Sequence, residues 1–353
     1  MAYDLEIYTK PLWEGTEIYY ETAMFVGEED VAPMLYPIDE VIGVYDFGQQ
    51  IEYINGVDYE IVDGKLKRLK GGDMPYFKLD EYYRDVPDSV NIMINHSVCK
   101  EAPEGRDFLI FGEKDTFSKM QVCVSYKHKS NWDYKIPMGK REVFKTALEK
   151  LEKKQEFSLL FFGDSITTGC NSSGAETGGN VPPYAESFPI MVWKKLQKIY
   201  DTEIKYTNTA VGGWNTLHAI TNFQEKALSE NYDLLILGFG MNDMRTNVQI
   251  TKNRTEEMII RFSEKNPDAP ILLLATMLPN INSNWLCNQK LHAGIFEELA
   301  DKYPNVAVAN ITEIHEDVLK TKRYRDMTGN NVNHPNDFLA RIYAQTILKT
   351  ILG

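Results

Sequence analysis

At 353 residues the chain is longer than one typical domain, and its 43% hydrophobic and 25% charged residues suit a globular protein with full cores, so two domains are expected. A formal net charge of −13 works against a nucleic-acid or anionic-membrane partner, and a neutral small molecule or oligosaccharide fits that field better. No apolar run approaches the roughly 20 residues of a spanning helix. Residues 1–8 lack a signal-peptide pattern, and Cys99, Cys123, Cys170 and Cys287 lack CxxC spacing, so free thiols and a cytoplasmic setting are expected.

Residues 1–139 read as all-β. Two short runs in 51–66 end in Asn55-Gly56 and Asp63-Gly64, the strongest short-range hairpin signal, and 108–112 and 120–126 look like further strands. Strands and turns at this spacing predict a β-sandwich of jelly-roll type. Most of the aromatics Trp13, Tyr19, Tyr20, Tyr36, Tyr82, Tyr83 and Trp132 are expected to pack between sheets, and His96 and His128, without metal-spaced partners, to be structural.

Apolar residues at 143, 144, 147, 148 and 151 form one helical face and open a second domain, 140–353. Strand patterns at 157–162, 204–206, 234–237, 271–275 and 306–308 then alternate with helical ones near 186–200, 215–230, 253–265, 286–302 and 337–352. That alternation predicts a three-layer α/β domain with a parallel sheet, whose right-handed crossovers gather the strand-end loops at one edge.

Four of those loops carry unusual residues. Gly163-Asp164-Ser165 aims a serine hydroxyl outward from a buried strand. Gly212-Gly213, within Asn208 to Thr216, permits a backbone N–H to turn into the site. Gly238-Phe239-Gly240-Met241-Asn242-Asp243 contains Gly-x-Gly, but Asp243 stands where a dinucleotide fingerprint needs its third glycine, so that reading is rejected. Asn242 can instead donate its amide to an oxyanion. Asn333-His334-Pro335 precedes the last helix. Together these supply a nucleophile (Ser165), a base of suitable intrinsic pKa (His334) and three oxyanion donors: the N–H of Ser165, the N–H of Gly213 and the amide of Asn242.

The four stretches resemble, in order, the signature blocks of the SGNH, or GDSL-type, hydrolase superfamily. The resemblance covers about residues 157–353 and implies a flavodoxin-like catalytic domain with Ser165, Gly213, Asn242 and His334 in the block positions. A β-sandwich followed by such a domain is similar in layout to two-domain carbohydrate esterases that remove acetyl groups from polysaccharides. The family usually carries an aspartate three residues before the histidine, and here that position is Asn331. His334 would then be oriented by a backbone carbonyl or the Asn331 oxygen, as a Ser–His dyad, or by another carboxylate such as Asp326 or Asp337; a degenerate site is the third outcome.

The expected function is a serine esterase cleaving short, acetyl-type esters on carbohydrates, with no cofactor and no metal. A lipase or thioesterase of longer acyl preference and a catalytically degenerate carbohydrate-binding protein are the alternatives. The long loop 170–184 is expected to wall the acyl pocket, with Tyr184 or Trp214 binding substrate. The oligomeric state is not legible.

Overall fold

The structure, a computed structural model, describes residues 3–85 and 106–353, so the expectations for His96 and Cys99 lie outside the described residues. In the N-terminal part the strands are β1 (Glu17–Met24), β2 (Val31–Ala32), β3 (Glu40–Asp46), β4 (Tyr59–Val62), β5 (Lys65–Arg68), β6 (Tyr83–Arg84), β7 (Phe108–Leu109) and β8 (Gln121–Lys127). Antiparallel β8 lies between β1 and β3, β5 lies between β2 and β4, and β6 pairs with β7.

Asp63 and Gly64 join β4 to β5 with φ of 50° and 71°, the left-handed pair that a two-residue hairpin turn demands. Asn55-Gly56 closes only an isolated bridge, between Asn55 and Tyr59. The region is β-rich as expected. Its described strands form sheets of three, three and two strands. The aromatics do pack internally: Tyr36 stacks on His128 at 3.7 Å, and Trp13 meets Trp132 edge-on at 6.0 Å.

The second part holds β9 (Ser158–Gly163), β10 (Lys205–Asn208), β11 (Leu234–Gly238), β12 (Ile271–Ala275) and β13 (Val306–Asn310). They are parallel, in the order β10-β9-β11-β12-β13. Counted from β9 this is the 2-1-3-4-5 order of flavodoxin-like sheets. The apolar character of β9, β11, β12 and β13 follows from burial on both faces.

Leu159, Phe161, Ile236, Leu272 and Leu274 join the core with helices Phe188–Tyr200 and Asp337–Leu352. Their neighbours Leu160, Phe162, Leu235, Leu237 and Leu273 pack with helices Val248–Lys265 and Gln289–Lys302 on the other side. The expected helix near 215–230 is broken at Asn222 into Thr216–Thr221 and Phe223–Ala227. A helix at Ile311–Val318 escaped the sequence patterns. The strand order reverses between β9 and β11, and the loops after those two strands flank the crevice where open sheets bind ligands.

The N-terminal strands are not a loosely attached appendage. One apolar cluster runs from Tyr8, Val44 and Tyr126 through Phe161 to Ile351. Within it lies a fully buried ion pair, Lys322 Nζ to Glu21 Oε1 at 2.6 Å, joining β1 to the segment before the last helix. Glu21 also accepts from Tyr126 Oη and Leu35 N–H, and Lys322 donates to Thr22 O, so neither charge is left undersatisfied.

Lys322→Met strands the Glu21 carboxylate in that core. The expected loss is about 3–5 kcal/mol of unfolding free energy, read from the urea midpoint, with part regained when Glu21→Gln is added.

Candidate active site

β9 ends in Gly163 because the backbone there runs against its neighbour. A Cβ on Gly163 would stand 2.3 Å from Thr167 Oγ1 and 2.4 Å from Gly238 O, closer than any side chain tolerates. Asp164 then turns the chain: its N–H donates to Gly238 O at 3.1 Å and its Oδ1 caps Ile166 N–H at 3.0 Å. Burial pushes the Asp164 carboxyl up to about 7, against the hydrogen bond from Ile166. Ser165 opens the short helix Ser165–Thr168, so its N–H has no intrahelical acceptor.

The loop before the last helix brings His334 to Ser165, with Nε2 2.9 Å from Oγ. Nδ1 of the same ring meets Asn171 Oδ1 at 2.7 Å. Asn171 Nδ2 donates to Gly329 O at 3.3 Å, which turns the amide oxygen toward the ring. An amide oxygen only accepts, so Nδ1 carries the proton and Nε2 is the acceptor for the Ser165 hydroxyl. That is the tautomer a general base needs.

The sequence-based expectations for the orienting group do not hold. Asn331 has φ of 70°, and its side chain faces away: Oδ1 accepts from Tyr82 Oη at 3.0 Å and Asn280 Nδ2 at 3.3 Å, while Nδ2 donates to Ile110 O at 3.1 Å. Asp326 is taken by Arg323 and by Met24 N–H; burial would raise its carboxyl, but Arg323 and Lys322 hold it below the usual range. Asp337 accepts Ser173 N–H at 2.8 Å, and burial pushes its carboxyl up to about 7. Among the described residues no backbone carbonyl takes Nδ1 either; the group is Asn171.

A carboxylate does stand near, from the other end of the chain. Glu113 Oε2 lies 3.6 Å from His334 Nδ1. Partial burial works to raise its carboxyl, but His334 and the amides of Asn330 and Asn171 outweigh this and hold it low. Neither Asn171 nor Glu113 was singled out from sequence. Asn171 lies in the long loop flagged there, six residues beyond Ser165. Glu113 carries no local signal.

Asn242, expected as an oxyanion donor, gives one of its two Nδ2 hydrogens to Trp214 O at 2.8 Å. Asp243, fully buried, accepts from Thr216 N–H and Oγ1, so the loops after β10 and β11 are tied together at two adjacent points. Gly212 lies beside Ser165, and Gly213 follows with φ of 77°, which favours glycine.

The Trp214 ring packs away from the pair, edge-on to Phe162 at 6.4 Å and over His218 at 6.0 Å, so its carbonyl is the part tied to the site. Tyr184 is 54% exposed, and among the described residues it makes no hydrogen bond or ring contact with Ser165 or His334. What loop 170–184 brings to His334 is Asn171. Two hollows of about 480 Å³ flank Lys10 and Pro11 and share no residue with this site, so side-chain chemistry, not cavity size, locates it. Among the described residues no group of three His, Cys, Asp or Glu is placed to hold a metal ion, and no helix is long and apolar enough to cross a membrane.

The model of the GDSL-like lipase/acylhydrolase family matches residues 161–342, just over half of the chain and all four loops. Similar solved structures include a two-domain esterase (CEX) active on acetylated mannans, co-crystallized with mannopentaose, at 20% identity and TM-score 0.49, covering 60% of this chain and 53% of that one. A mutant of Axe2, an acetylxylan esterase from Geobacillus stearothermophilus, matches at 17% identity and TM-score 0.47, covering 56% of this chain and 96% of that one. The acetyl xylan esterase AlAXEase matches at 20% identity and TM-score 0.43, covering 54% and 98%. The chain thus spans about half the length of the two-domain esterase. A search of curated proteins finds no match.

Two results are expected from this geometry. Asn171→Ala lowers kcat by about 10²–10⁴, because His334 loses the acceptor that fixes its tautomer. Asn331→Asp raises kcat not at all and lowers the urea midpoint, since it sets a buried charge against Ile110 O.

A third concerns pH. Folded Asp337 takes its proton at about 7, against an ordinary 3.8, so the folded state holds the extra proton between those values. Stability therefore falls as pH rises from about 4 to about 7. Asp337→Asn makes that slope shallower in urea titrations across the window, with Asp164 supplying what remains.

Proposed function

This chain belongs to the GDSL-like lipase/acylhydrolase family, and on that premise we propose that it is a serine esterase working through Ser165 and His334. The observation that carries the reading is one imidazole bonded on both sides, at 2.9 Å to Ser165 Oγ and at 2.7 Å to Asn171 Oδ1. Ser165 attacks the ester carbonyl as His334 Nε2 takes its proton. The carbonyl oxygen becomes an oxyanion held by the Ser165 N–H, the Gly213 N–H and the remaining Asn242 N–H, each such donor lowering the barrier by about 3 kcal/mol. His334 returns the proton to the leaving alcohol, and the acyl group stays on Ser165. Water, deprotonated by the same nitrogen, then releases the acid.

The substrate class proposed is a short, acetyl-type ester on a neutral carbohydrate. A net charge of −13 disfavours anionic substrates. Oligosaccharides of the acetylated mannan or xylan kind, which appear in the names of the esterases above, are the natural first polymers to assay. Residues 1–139 are proposed as a β-rich domain that borders the site and 140–353 as the hydrolase domain. A reducing compartment is proposed from the free thiols of Cys123, Cys170 and Cys287.

The test is hydrolysis of p-nitrophenyl acetate, butyrate and octanoate by the wild type and Ser165→Ala. Turnover that falls with chain length and drops by about 10⁴ or more in the variant is expected. Equal or greater turnover of octanoate would assign a lipase or thioesterase instead. Ligand binding without Ser165-dependent turnover, from a folded protein, would assign a carbohydrate-binding protein.

A further inference from the structure

The two neighbours of His334 Nδ1 do different work. The Asn171 oxygen fixes the tautomer, but a neutral amide brings no net charge to the imidazolium that forms when Nε2 takes the Ser165 proton. A carboxylate does. Asn331, at the position where the family pattern places that carboxylate, is bonded to Tyr82, Asn280 and Ile110 instead.

Glu113 is held for the same work from outside the hydrolase domain. It sits between β7 and β8 on a turn closed by Thr116, whose Oγ1 donates to Glu113 O at 2.8 Å. The next residue ties the turn to the loop bearing Asn171, with Lys114 N–H donating to Thr177 O at 3.2 Å. Asn330 Nδ2 donates to Glu113 Oε1 at 3.2 Å, while Asn330 Oδ1 accepts the N–H groups of Val332, Asn333 and His334. One amide therefore shapes the histidine loop and fixes the carboxylate beside it.

We propose that Glu113 is a positioning residue for His334: the N-terminal region supplies the negative charge at Nδ1 that the family pattern supplies from within the histidine's own loop. This rests on the esterase reading above. It also gives the N-terminal region a part in the chemistry, because a catalytic domain without residues 106–127 would lack that charge.

The other titratable groups around the pair are Asp164, whose carboxylate caps Ile166 N–H, and Cys170, whose thiol bonds Thr168 Oγ1; Lys114 and Asp115 follow on the turn itself. None of these is hydrogen-bonded to the ring.

The experiment compares p-nitrophenyl acetate kinetics of the wild type, Glu113→Gln, Glu113→Asp and Ser165→Ala, with each fold checked by thermal unfolding. Gln keeps an acceptor for Asn330 Nδ2 and the side-chain volume but drops the charge. Expected is a loss of about 10–100-fold in kcat for Gln with little change in KM. Its acid limb of kcat/KM should move to lower pH, and Asp should recover much of the rate. The partly exposed carboxylate keeps the effect below the roughly 10⁴ of a buried triad aspartate.

Glu113→Gln with wild-type kcat and pH profile, beside an inactive Ser165→Ala, would overturn the proposal and leave the esterase standing. Equal impairment of Gln and Asp together with lowered unfolding temperatures would overturn it too, reducing Glu113 to a brace for Asn330. A wild type no faster than Ser165→Ala would strike the esterase reading itself, and this proposal with it.

Discussion

The second half of this chain is organised around one hydrogen bond, from Ser165 Oγ to His334 Nε2 at 2.9 Å. Ser165 is fixed because β9 cannot shift: Gly163 is wedged against Gly238 O and Thr167. His334 arrives from 169 residues away and is fixed because Asn330 gathers three successive N–H groups and Asn171 closes the far side of the ring. The parallel sheet sets both, since the strand-order switch between β9 and β11 puts the serine turn and the Asn242 turn side by side. Asn242, on the second of those turns, is tethered to Trp214 O by one of its two amide hydrogens.

The N-terminal sheets matter to this site through charge as much as through apolar packing. Lys322 and Glu21, Arg323 and Asp30, and Asp326 with Met24 N–H all cross from the strands to the segment that leads into the histidine loop. Buried ionic contacts of this kind give little net stability over an apolar core, yet they are costly to break one partner at a time. Glu113, from the same N-terminal part of the chain, lies 3.6 Å from His334 Nδ1. The same network explains why Asp326, close in sequence to His334, is not the group that orients it.

What could be read from sequence was what is local. Alternating apolar runs gave the five parallel strands and most of the helices, and the Ser165, Gly213, Asn242 and His334 loops announced themselves by residue type at strand ends. Ser165 and His334 do meet. What could not be read was any choice made by tertiary packing. Asn331 looked like the acceptor for His334 by position alone, but its left-handed backbone turns the side chain toward Tyr82 and Ile110. Asn171 and Glu113 took its place from a loop and from a distant turn, and no spacing rule links either to position 334. The β-rich region was legible as such through Asp63-Gly64, whereas its division among three small sheets depends on partners far along the chain.

The Lys322–Glu21 pair also bears on how the protein is made. Its two members are 301 residues apart, so when β1 leaves the ribosome its buried glutamate has no counter-ion and will have none until those residues too have been synthesised. At about 5–20 residues per second that interval lasts tens of seconds. During it the N-terminal strands expose apolar faces that the last helix will cover. Contacts between segments this far apart in sequence slow folding, because the intervening loop must close before they form. The stretch that carries His334 emerges after every strand of the parallel sheet, and it brings the cover for that core and the partner of Ser165 together.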